Sequence, residues 1–264
     1  MRIAAITLCV FLLLAVLSNC GRGTLKRKAV FIFCDVTNSL NKTESETVAS
    51  MASGVLNTLQ PGTEYRIYPI LAETERLVPI NDKESTIQPK SDNESLQSVL
   101  EKRRQEDMAK KLTNLYQVTN TNKNDNRTCI LNAISFAGQQ FNDFPKDKYD
   151  RELIIISDML EECDNTPLKR QIDIRKGDIT EELKQANNFP QGTDLSDVSI
   201  SIITPATEET YVKYQPGSRP PMDSLKEFWR LIFNGCNVSP EAQKNTEKYF
   251  WSNGILPRRF SVKK

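Results

Sequence analysis

Two stretches of the chain are apolar at almost every position, Val30-Phe31-Ile32-Phe33-Cys34 and Leu153-Ile154-Ile155-Ile156, and a third, Val198 to Thr204, interleaves two serines. Runs this continuous predict strands buried on both faces, the kind found in parallel sheets. Between them the apolar spacing turns helical. Val48, Met51, Ala52, Val55, Leu56 and Leu59 mark one face of a helix from about Ser45 to Leu59, closed by Pro61-Gly62. Tyr65 to Leu71 alternates as a strand, and Leu77-Val78-Pro79-Ile80 offers an antiparallel edge partner, its proline confining it to an edge. A charge-rich helix is predicted over about Ser95 to Val118, broken near Arg104, followed by an asparagine-rich loop over Thr119 to Asn126. A more buried helix begins at Thr128, and an amphipathic one spans Ser224 to Phe233, stopped by Asn234-Gly235. From Glu161 to Asp197 runs an insertion holding a short capped helix near Asp178, with Glu181 three residues on. The tail carries Tyr249-Phe250-Trp251, expected to pack onto the body.

Apolar strands alternating with helices predict a three-layer, Rossmann-like α/β domain over 29–264: a mostly parallel central sheet, one antiparallel edge strand and helices on both faces. Right-handed crossovers bring the C-terminal ends of the parallel strands to one edge, where the loops build a site.

Ahead of the domain, Arg2 precedes an apolar run from Ile3 to Leu17 that ends at Leu17-Ser18-Asn19-Cys20-Gly21. This reads as an export signal over 1–19, too short and wrongly flanked for a membrane span. Its end resembles a bacterial lipobox, with Cys20 as the lipidated residue, 20–28 as a spacer, and the bacterial cell envelope as the location. Asn19 departs from the small residue usual before the cysteine; the plainer alternative is a cleaved signal with an incidental cysteine. An exported chain permits disulfides. Cys163 and Cys236, both in loops, form the expected pair, while Cys34 in a strand and Cys129 in a helix are expected to be free and buried.

The 264 residues are 38% hydrophobic and 26% charged with a net charge of +1, an ordinary globular balance without the basic footprint of a nucleic-acid binder. Histidine is absent, which removes Ser-His-Asp and Cys-His catalysis and every histidine-containing zinc site.

Chemistry concentrates at the strand ends. Asp35 ends the first strand, with hydroxyls at Thr37 and Ser39; Asp158 ends another; Thr128 begins the helix between them. All five donate oxygen, a set suited to Mg²⁺, Ca²⁺ or Mn²⁺ rather than zinc or copper. The pattern resembles the von Willebrand factor A (VWA) domain and its metal-ion-dependent adhesion site: D-x-S-x-S, then a threonine, then an aspartate after a later strand. Here it reads Asp35-x-Thr37-x-Ser39, Thr128 and Asp158, with Asn38 and Met159 where glycine is common in the family. The resemblance implies a Mg²⁺ held by the Thr37, Ser39 and Thr128 hydroxyls, with Asp35 and Asp158 acting directly or through water. It also implies an open position for an Asp or Glu from a partner protein, and no enzymatic activity.

Two alternatives stand beside it. Haloacid dehalogenase-like phosphatases also use an aspartate after a first strand, and Asp35 and Ser157 fit that outline. Thr37, however, replaces the second acid such chemistry needs. The other alternative is a structural envelope lipoprotein with no metal site.

Overall fold

The computed structural model describes residues 26–37, 42–72, 78–81, 86–88, 93–121, 127–164, 166–168, 171–174, 178–187, 193–205 and 221–242. The segment read as an export signal, Cys20, Ser39 and the aromatic trio Tyr249-Phe250-Trp251 lie outside them.

The elements follow in the order β1 (Arg27–Asp35), α1 (Lys42–Thr58), β2 (Glu64–Ile70), α2 (Glu94–Thr121), α3 (Ile130–Gln140), β3 (Tyr149–Ile156), β4 (Glu162–Cys163), β5 (Ile172–Asp173), α4 (Thr180–Ala186), β6 (Val198–Ile203) and α5 (Met222–Gly235). The strands β2, β1, β3 and β6 lie in that order in one sheet, every pair parallel. From β1 the chain steps out to β2 on one side and then returns to β3 on the other. The crevice beyond the C-terminal ends of β1 and β3 is therefore the point where the strand order reverses, the place such sheets use for ligands.

Strict alternation along the strands sends side chains to two cores. Phe31, Phe33, Tyr68, Leu153, Ile155, Ile200 and Ile202 face the layer that holds α3 and α5. Val30, Ile32, Cys34, Ile67, Ile154 and Ile156 face α1, behind which Met108 and Leu112 of α2 are buried. With both faces covered, the apolar runs have no wet side, which is why they read as continuous rather than alternating. At the opposite edge from the crevice, Tyr149 Oη donates to Glu64 Oε1 at 2.8 Å and Arg27 pairs with the same carboxylate at 3.0 Å, tying the starts of β1, β2 and β3 together.

Three details differ from expectation. The edge strand predicted at Leu77–Ile80 is not a strand among the described residues. Ile80 N–H donates to Ile67 O at 2.7 Å, but Pro79 has no N–H to extend a ladder, and the Asn81 side chain takes the ladder's place. Its Oδ1 accepts from Ile67 N–H at 2.6 Å and its Nδ2 donates to Tyr65 O at 3.0 Å, satisfying the outer edge of β2. Antiparallel contact is confined to the Glu64–Thr86 bridge beside β2 and the two-residue pair β4–β5 inside the insertion. The long helix α2 is continuous through Arg104.

The third difference is the disulfide. Cys129 is bonded to Cys163, and Cys236 is free and buried with Cys34. The expected Cys163–Cys236 pair fails because Cys236 closes α5, its N–H bonded to Ile232 O and Phe233 O. Cys163 instead ends β4, the two-residue strand just past β3, against the start of α3. Burial pushes the Cys236 thiol up to about 12, with help from the Asp194 charge, and pushes the Cys34 thiol higher still. Only the thiolate is reactive, so neither Cys34 nor Cys236 should be alkylated at pH 8 in the native protein. Both should react after denaturation, and a non-reducing peptide map should recover residues 129 and 163 on one linked species.

Candidate functional site

Asp35 is the last residue of β1, and Thr37 follows in the turn where the strand leaves the sheet; both are fully buried. The turn folds onto the carboxylate. Thr37 N–H and Thr37 Oγ1 both donate to Asp35 Oδ1, at 3.0 and 2.6 Å. Thr128, ninety-one residues away at the start of α3, brings its hydroxyl to 2.5 Å from that of Thr37. Because the Thr37 proton is directed at Asp35, Thr128 is the donor in this contact. On the other side of the carboxylate, Ser157 Oγ donates to Asp35 Oδ2 at 2.8 Å. Ser157 sits at the end of β3, its N–H bonded to Ile203 O of β6, so three parallel strands converge on one acid.

Asp158 is the next residue, also buried, and its Oδ1 accepts the Leu160 N–H at 3.1 Å in a turn of its own loop. Met159 holds a φ of 63°, the left-handed region that glycine takes without strain and that costs a side-chain-bearing residue about 1–2 kcal/mol. Three features hold Met159 in this conformation: its side chain is fully buried in the core, its N–H donates to Ser157 Oγ at 3.0 Å, and Trp229 Nε1 of α5 donates to its carbonyl at 3.0 Å.

Of the five predicted residues, Asp35, Thr37 and Thr128 are in direct contact. Asp158 adjoins them through Ser157, and Ser39 lies outside the described residues. Among the described residues, no cluster of three or more His, Cys, Asp or Glu side chains is placed to hold a metal. The donors here are instead mixed, a carboxylate bonded by the Thr37 hydroxyl and that hydroxyl bonded by Thr128, with no nitrogen or sulfur among the three side chains. That is the chemistry of a hard cation, for which Asp35, Thr37 and Thr128 fit.

Two residues escaped the sequence reading, and a third, Ser157, entered it only through the phosphatase outline. Ser157 orients Asp35, and Trp229 holds the loop carrying Asp158. Glu161, fully buried, accepts at Oε2 the N–H groups of Ile130 and Leu131, at 2.6 and 3.1 Å. It caps α3 from a distant loop. Burial pushes the Glu161 carboxyl well above the usual range; the two N–H bonds pull it back, and the Asp35 charge pushes it up again. One signal was legible, the absence of an acid from the first turn of α3; the structure adds that the Thr128 hydroxyl is turned to Thr37 rather than to the helix. Its orphan N–H groups therefore had to find a partner elsewhere.

No protein-family model matches the sequence, and no curated protein matches it. Solved structures with a similar fold include a von Willebrand factor type A protein from Catenulispora acidiphila, at 10% identity and a TM-score of 0.45, covering 85% of this chain and 41% of that one. The chain thus spans about two fifths of that protein's length. Others are the manganese-loaded TRAP protein of Plasmodium vivax (13% identity, TM-score 0.38, 78% and 74% covered) and the SpRpn10 VWA domain (10%, 0.37, 82% and 97%). These are likenesses of overall fold; the site rests on its own residues.

Proposed function

We propose that this chain is a VWA-like protein without enzymatic activity that binds a partner protein through a divalent cation. Mg²⁺ is the first choice, with Ca²⁺ and Mn²⁺ as alternatives. Asp35, Thr37, Ser39, Thr128 and Asp158 would hold the ion, which supplies a coordination position for an Asp or Glu of the partner. The observation that carries this reading is the meeting of the Thr37 and Thr128 hydroxyls, from loops far apart in sequence, over the buried Asp35 carboxylate. Packing alone does not call for a buried pair of hydroxyls linked in series to an acid at a strand-order reversal, whereas a hard cation uses such oxygens. Lipid attached at Cys20 would tether the protein to a membrane of the bacterial envelope, and the described residues include no helix long and apolar enough to cross one.

The test is a pull-down from detergent-solubilised envelopes together with calorimetry on the purified protein. Mg²⁺ should bind the wild type and fail to bind Asp35→Ala and Thr128→Ala. Partner recovery should be lost in EDTA and with either variant. Recovery of every partner regardless of metal would favour the structural-lipoprotein alternative. Phosphatase turnover abolished by Asp35→Asn would favour the enzyme. Against that outcome stand the hydroxyl at position 37, which cannot serve as a general acid, and the engagement of both Asp35 oxygens by hydroxyl donors.

A further inference from the structure

We propose that the segment 161–164 is a clasp that presets the cation site, and that Glu161 is the positioning residue for Thr128. This rests on the cation reading above and adds the means by which two of its loops are held as one. Four links join the start of α3 to the loop after Asp158. Arg127 forms an ion pair with Asp164. Glu162 N–H donates to Thr128 O at 2.8 Å. Cys129 is covalently bonded to Cys163. Glu161 Oε2 takes the N–H groups of Ile130 and Leu131, while Ile174 N–H fixes the Glu161 backbone at 2.9 Å.

Thr128 is therefore held through its own carbonyl and through each of the three residues that follow it. Every one of those holds comes from the segment that leaves Asp158. A helix needing only stability is capped locally, by a Ser, Thr, Asp or Asn at the N-cap. Here the N-cap position is Cys129, which makes no side-chain cap bond, and the cap comes from a carboxylate 31 residues away. Burying that carboxylate is costly, and its Oε1 has no hydrogen-bond partner to offset the desolvation. What the long-range cap adds over a local one is registration: the Thr128 hydroxyl and the Asp158 loop keep one spacing whether or not the ion is present. Groups that orient metal ligands in this way typically contribute 10–100-fold to affinity.

Two conservative variants of the full-length protein separate reach from charge. Glu161→Gln keeps an oxygen at the same reach and loses the charge; Glu161→Asp keeps the charge and falls one methylene short of the two N–H groups. In Mg²⁺ titrations followed by calorimetry, E161Q should bind as the wild type does and E161D about 10–100-fold more weakly. Melting temperatures in EDTA provide the structural control. A lowered melting temperature for E161D with unchanged Mg²⁺ affinity would make Glu161 a cap and nothing more, and would overturn the proposal. Weak binding by E161Q would overturn it too, by assigning the effect to charge. A wild type that does not bind Mg²⁺ would instead remove the cation reading itself, so the two failures are distinguishable.

Discussion

Trp229→Ala should lower the free energy of unfolding by about 3–5 kcal/mol, the range for removing a large buried aromatic. Trp229 is 1% exposed and packs edge-on against Phe228, with ring centroids 5.1 Å apart, in the core beneath α3 and β3. Its loss empties that volume and also strips the Met159 carbonyl of the indole donor at 3.0 Å. Trp229→Phe isolates the second effect. It keeps most of the ring and should cost about 1–3 kcal/mol, the penalty for leaving a buried acceptor unsatisfied. Urea denaturation of the two variants should rank them in that order. In native-state hydrogen exchange, the Leu160 N–H should lose protection in Trp229→Phe more than amides in the middle of β3. The reason is that the indole is one of the contacts that hold Met159 left-handed, and Leu160 follows it directly.

The architecture was legible because two signals agreed. The continuous apolar runs marked buried parallel strands, and the helical spacing between them marked the covering layers. The pattern put Asp35 and Asp158 at one edge because strand ends in a parallel sheet share it, and Thr128 there because its helix precedes β3; the structure brings Asp35, Thr37 and Thr128 into contact and sets Asp158 beside them. What escaped depends on side chains acting across the chain. Asn81 substitutes for a strand by reproducing ladder bonds with its amide, which no periodicity reports. Glu161 stood at the head of an insertion read only for its short helix near Asp178, and its role exists because α3 lacks a local cap. The cysteines were mispaired for a similar reason. Loop position was taken as the criterion, whereas the pairing follows from the return of the chain past β3 to the start of α3.

That pairing sets the second large effect. Replacing Cys129 and Cys163 by serine should destabilise the protein by about 4 kcal/mol, the chain-entropy value for a loop of this size. The two cysteines are 34 positions apart in sequence. The cross-link acts mainly on the unfolded chain, so its removal should also steepen the dependence of stability on urea by letting the unfolded state expand. Reduced wild type should then match the double variant in both midpoint and slope. If the double variant is weaker than reduced wild type by a clear margin, the difference belongs to the serine hydroxyls, because both sulfur positions are buried at 1–2% exposure and a buried hydroxyl needs a partner. Cys129→Ala/Cys163→Ala removes that ambiguity. Cys236 should not rescue the single variant Cys129→Ala by forming a new bridge to Cys163. To do so it would have to leave the C-terminal turn of α5, giving up the bonds from its N–H to Ile232 O and Phe233 O and from Leu195 N–H to its own carbonyl.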